Sequence, residues 1–136
     1  MQFVAIDPHH SKIEIIQANE LTDVYARVGL KIGEVDFGTL HRYPDGSTLN
    51  IVVYEYGLFK PPAEGKYFSI GSCLFEGGAV LFRADAIGDT VSLGAPPPVM
   101  FFRGAHDIEG AIARGEIKRP QILVNDKSKW SWPSKP

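Results

Sequence analysis

At 136 residues the chain is shorter than an average domain of about 150, which excludes a multidomain enzyme with a separate catalytic module. Its composition, 44% hydrophobic, 11% aromatic and 22% charged, is that of a globular chain and not of a disordered, collagenous or coiled-coil one. The net charge of -2 hides an asymmetry: residues 118-136 carry five basic groups against one acid, whereas the rest carries nine against fifteen, so the body disfavours docking on a nucleic-acid backbone.

The runs Phe3 to Ile6 and Ile13 to Ile16 are β-rich and flank Asp7-Pro8-His9-His10-Ser11-Lys12, whose Asp-Pro and Ser are turn formers, so an antiparallel hairpin is expected. Leu21, Val24, Tyr25 and Val28 then fall at helical spacing, with Asn19 to cap and Gly29 to stop a helix over about 19-29. Glu34 to Tyr43 and Thr48 to Tyr56 read as strands around Pro44-Asp45-Gly46-Ser47, where Asp-Gly supplies the positive φ of a tight hairpin. Beyond Gly57 and Pro61-Pro62 come short strand-like pieces at Tyr67 to Ile70, Val80 to Phe82 and Thr90 to Leu93. After the extended spacer Pro96-Pro97-Pro98, the apolar Val99 to Phe102 calls for burial. A second short helix is expected over about 107-114, with Asp107 as cap and Gly115 as terminator, and Ile122 to Val124 read as a last strand. The fold class is therefore α+β, a mostly antiparallel sheet with the first helix packed on it. Residues 1-124 are expected to form a single domain and 125-136 an extended tail.

The single cysteine, Cys73, excludes an internal disulfide and suits a reducing compartment. No stretch reaches the roughly 18 apolar residues of a membrane span, and Met1 to Ile6 followed by Asp7-Pro8 lacks the basic and apolar regions of a leader. A soluble, cytoplasmic protein is expected, with no membrane partner.

The order of motifs carries a resemblance. Ile6-Asp7-Pro8, a helix ending near a glycine, an Asp-Gly turn and Tyr56-Gly57-Leu58-Phe59-Lys60 precede Tyr67-Phe68-Ser69-Ile70-Gly71, then Gly77 to Leu81 and Gly88-Asp89-Thr90-Val91. Over residues 3-93 this resembles a family of small proteins of unknown function encoded by phages, plasmids and conjugative elements. The chain departs from that family in its connection before Gly57-Leu58 and in running on well past Val91. The resemblance implies a small α+β accessory protein of a mobile element and carries over no catalytic residue.

His9 and His10 are adjacent in a turn, where neighbouring side chains point apart and rarely grip one ion, so solvated histidines are expected. In His106-Asp107-x-Glu109 the two acids suit a helix start. His41 in a strand can serve as a general base only beside a carboxylate in a pocket. Cys73 has no cationic neighbour in sequence to lower its pKa, so a structural thiol is expected. The glycine-rich stretch around it lacks the Gly-Lys-Ser/Thr ending of a phosphate loop. No cofactor and no metal are expected.

What the sequence favours is binding. Arg83 follows Val80-Leu81-Phe82 and Arg103 follows Phe101-Phe102, positions from which a guanidinium can hold a phosphate bidentately while Tyr67 stacks a base. The plainer alternative pairs these arginines with Asp85, Asp107 or Glu109. Trp130 and Trp132, alternating in a polar tail, suit docking on the same chain, on a sister subunit in a homo-oligomer, or on a host protein. The expected role is a non-enzymatic accessory protein that binds a host defence protein or sequesters a small nucleotide signal. One alternative is a small hydrolase or metal-dependent enzyme using His41, His106, Asp107 and Glu109. The other is a single-strand nucleic-acid binder using Lys127, Lys129, Trp130 and Trp132, although nucleic acid is not the expected partner.

Overall fold

In a computed structural model that describes residues 1-57 and 65-119, the first hairpin forms as expected. β1 (Gln2–Asp7) pairs antiparallel with β2 (Lys12–Gln17), in register from Gln2 opposite Gln17 to Asp7 opposite Lys12. The expected long helix is shorter: α1 spans Thr22–Tyr25 and tightens into a 3-10 turn over Ala26–Val28. Asn19 does not cap it; the Asp23 carboxylate instead accepts the Glu20 backbone N–H at 3.1 Å. At the other end Gly29 adopts φ 76° and the Leu30 N–H returns to the Tyr25 carbonyl at 2.9 Å, the left-handed closure that glycine makes cheap. The apolar stripe survives the shortening, because Val24 and Tyr25 are buried with Phe3, Ala5, Ile16, Leu30, Val52 and Val80 while Leu21 and Val28 pack on that cluster.

β3 (Val35–Arg42) and β4 (Thr48–Tyr54) pair antiparallel about Asp45-Gly46, with Gly46 at φ 88° as the turn chemistry requires. β7 (Ala79–Ala84) then inserts between β1 and β4, giving the order β2-β1-β7-β4-β3 with β8 (Thr90–Val91) pairing on β7. β3 is an edge strand and is mostly exposed, Phe37 among its side chains. Two features blunt this edge: a bulge between Thr39 and His41, and the Asp36 carboxylate, which accepts the Phe37 N–H at 2.9 Å.

A second, three-stranded sheet has the order β6-β5-β9, from β5 (Tyr67–Ile70), β6 (Cys73–Glu76) and β9 (Val99–Phe102). β6 is absent from the sequence reading, and the run expected to be buried is an edge strand that is only half-buried, with Met100 exposed. α2 (Ala105–Ala113) begins two residues earlier than expected, at a Gly104 cap; Asp107 lies inside the first turn and reaches back to the Arg103 N–H at 3.3 Å. Gly115 ends it at φ 76°, with Glu116 N–H on the Ala111 carbonyl at 2.9 Å. Ile108, Ala111 and Ile117 form a core with Tyr67 and Leu74.

The molecule is thus α+β, mostly antiparallel sheet with two short helices. It divides into two compact units, one from Met1–Glu55 with Gly78–Pro96, the other from Tyr56–Gly77 with Pro97–Pro136. The expected strand over 122-124 and the tail over 125-136 lie outside the described residues. No helix among those described is long and apolar enough to cross a membrane.

Candidate functional site

Arg83 stands on β7 in the first unit, and the hairpin loop between β3 and β4 closes on it. Its Nε donates to the Ser47 hydroxyl at 2.9 Å, a terminal nitrogen meets Asp45 Oδ2 at 3.2 Å, and the guanidinium carbon lies 3.9 Å from the centre of the Tyr43 ring. His41 completes the group edge-on to Tyr43, with centroids 4.6 Å apart. The Ser47 hydroxyl, then its backbone N–H, hold the Asp45 carboxyl below the usual carboxylate range against slight desolvation, and the charge of Arg83 adds to this. Its contribution to stability is therefore present above the ordinary aspartate pKa and fades only as pH falls through the lowered one. The acid that takes Arg83 is Asp45, 38 residues away. Asp85 instead accepts the N–H groups of Ile87 and Asp89 in its own turn.

This geometry makes Arg83 a brace between β7 and the hairpin loop. Arg83→Lys keeps the charge but loses the forked contact and the guanidinium's contact over the Tyr43 ring, and is expected to cost about 1 kcal/mol. A thermal melt several degrees lower than wild type is the expected reading; an unchanged melt shows the guanidinium is not structural.

The other expected site residues are scattered. Tyr67 is 1% exposed and its ring belongs to the core of the second unit. Beside it across the ladder lies the buried Glu76, so tightly covered that a Cβ on Gly57 would come within 2.7 Å of its carboxylate. Arg103 is exposed, its N–H on Asp107. Arg83 and His41 belong to the first unit, Tyr67, Arg103, His106, Asp107 and Glu109 to the second. Glu109 is engaged by Arg119 through two parallel contacts of 2.9 and 2.8 Å. His41 and His106 are exposed, as is Cys73. Among the described residues no group of three or more His, Cys, Asp or Glu is placed to hold a metal. Trp130 and Trp132 lie outside the described residues.

A recess that the sequence reading passes over lies beside the helical turn of the first unit. Along β1 and β2 the face toward α1 changes character: Phe3 and Ile16 are apolar, but Ala5 opposite Glu14 and Asp7 opposite Lys12 follow on the same face. The helix covers the apolar end. At the polar end a recess of about 430 Å³ opens, lined by Ala5, Asp7, His10, Lys12, Glu14 and, from the 3-10 turn, Arg27 with Val28. That volume is within the range of small-molecule sites, about 300-1,000 Å³.

His10 Nδ1 is 2.6 Å from Asp7 Oδ2, and the His9 N–H donates to the other oxygen at 3.0 Å. Burial raises the Asp7 pKa, but the His10 hydrogen bond and charge, with the His9 and His10 N–H groups, outweigh it and hold the carboxyl below its usual range. Lys12 and Arg27 both turn to Glu14, at 3.9 and 3.4 Å. These are long contacts between side chains that are more than a third exposed, so neither cation is strongly held. The signal was present in the sequence as Asp7-x-x-His10 and the alternation Lys12, Glu14; the contribution of Arg27 needed the helix placed on the sheet.

No family model matches the chain, and neither a curated protein nor a solved structure matches it.

Proposed function

We propose that the protein acts by binding, and that its ligand is a small anionic molecule of nucleotide type received in the recess at His10, Lys12 and Arg27. The observation that carries this is the convergence of two basic side chains on one 430 Å³ hollow in which they share a single carboxylate, Glu14, at long range. A phosphate entering there gains both cations by displacing contacts that are weak in water. The small apolar floor, Ala5 and Val28, suits the body of the ligand. Together with the resemblance of the motif order to that of small proteins of mobile elements, this favours an accessory protein of a phage or plasmid that sequesters a nucleotide signal. The site differs from the one expected at Tyr67, Arg83 and Arg103.

Calorimetric titration with a panel of linear and cyclic nucleotides, at low salt and slightly acid pH, tests the proposal. At least one member is expected to bind, and Lys12→Gln or Arg27→Gln to weaken it about tenfold, equivalent to about 1.4 kcal/mol. Both side chains are about three-fifths exposed, so these variants keep the fold. Binding by no member, or binding indifferent to both substitutions, overturns the proposal.

A further inference from the structure

The recess has a charge balance that leaves its sign to one group. Asp7 and Glu14 supply two negative charges, Lys12 and Arg27 two positive ones. They cancel, and the remaining lining residue with an ionisable side chain is His10. Histidine is the side chain whose ordinary titration falls between about pH 5 and 8. The hollow is therefore neutral when the imidazole is neutral and cationic when it is protonated.

The orientation of the ring sharpens this. Nδ1 is turned to Asp7 Oδ2 at 2.6 Å, so the proton of a neutral ring belongs on Nδ1, facing the carboxylate, and Nε2 then carries a lone pair. A lone pair repels an anionic oxygen. Adding a proton turns Nε2 into a donor as well. The two forms thus differ both in net charge and in whether Nε2 accepts or donates.

We propose that the recess is a proton-switched site for a tetrahedral oxyanion, the phosphate end of a nucleotide or its equivalent, which binds when His10 is protonated and leaves when it is not. This rests on the anion-binding reading of the recess and adds its regulation. The charged groups that line the recess with His10 are Asp7 from β1, Lys12 and Glu14 from β2 and Arg27 from the 3-10 turn; His9 precedes it in the loop but is not among the lining residues. Affinity and protonation of His10 are thus linked.

The test uses sulfate, whose charge is constant from weak acid to weak alkali, so that any pH dependence belongs to the protein. Its dissociation constant, by calorimetry, is expected to rise about tenfold per pH unit once the imidazole deprotonates, the limit for a single linked proton. His10→Gln is expected to bind weakly at every pH, His10→Lys to bind with a flat profile, and His9→Gln to keep the wild-type profile. At 76% side-chain exposure, His10 tolerates these changes without loss of the fold. A flat wild-type profile, with Lys12→Gln still weakening sulfate, overturns the switch and leaves the recess as an anion site. No sulfate binding even at acid pH overturns both.

Discussion

Gly78→Ala is expected to destabilise the protein by about 3 kcal/mol or more, the upper range of overpacking effects. Gly78 immediately precedes β7 and lies against the end of the 3-10 turn: a Cβ built on it would sit 2.1 Å from the Val28 carbonyl oxygen and 2.6 Å from the Val28 Cβ. The first of these is backbone and cannot swing aside as a side chain would. To admit one methyl group, either the turn lifts from the sheet or β7 shifts out of register between β1 and β4. A drop in melting temperature on the order of 10 °C is expected for a chain of this size. Gly29→Ala separates space from conformation: Gly29 needs its φ of 76° but has nothing within 4 Å, so only the left-handed penalty of about 1 kcal/mol applies. Equal melting of Gly78→Ala and wild type would show that the turn does not press on β7.

In the second unit Phe68→Ala is expected to cost about 3-5 kcal/mol, read as a lower urea midpoint. Phe68 is on the central strand, opposite Phe75 on β6 and Phe101 on β9, and is 0% exposed with its ring stacked on Phe75 at 5.3 Å. Removing it leaves a cavity that the two flanking strands, both fixed to β5 by their ladders, cannot close. Met100→Ala, on β9 and 46% exposed, is expected to change stability by well under half as much, because its side chain is already largely in water. A midpoint for Phe68→Ala equal to that of Met100→Ala would contradict the burial on which this contrast rests.

What the two units share is a dependence on pairings that skip along the chain. The hairpins at Asp7 to Lys12 and at Asp45-Gly46, the stripe of Leu21, Val24, Tyr25 and Val28, and the glycine stops at Gly29 and Gly115 were all readable, because each is decided within a few residues by turn chemistry or by a period. Cys73–Glu76 is not legible as a strand, since Cys-Leu-Phe-Glu is short and bracketed by Gly71 and Gly77-Gly78. It is a strand because the turn at Gly71-Ser72 folds it back on Tyr67–Ile70. The length of the first helix is illegible for a similar reason: spacing reports the buried face, which is correct here, but the α-helix stops at Tyr25 and tightens into a 3-10 turn.

The candidate sites divide the same way. Arg83 was visible as a guanidinium at the end of an apolar run, but its partner was unreadable, since only the insertion of β7 beside β4 sets Leu49 opposite Arg83 and brings the Asp45 loop within 3.2 Å of it. The adjacency of His9 and His10 says nothing of Asp7, which is the partner of His10 across the loop at hydrogen-bond distance. The sequence alone determined the α+β class, the local hairpins and the face the first helix buries, because these follow from short-range geometry. The tertiary structure decided which charges meet, Arg83 with Asp45, Glu109 with Arg119, and Arg27 with Glu14 above the Ala5 floor, because those encounters depend on strand order and on where a helix ends.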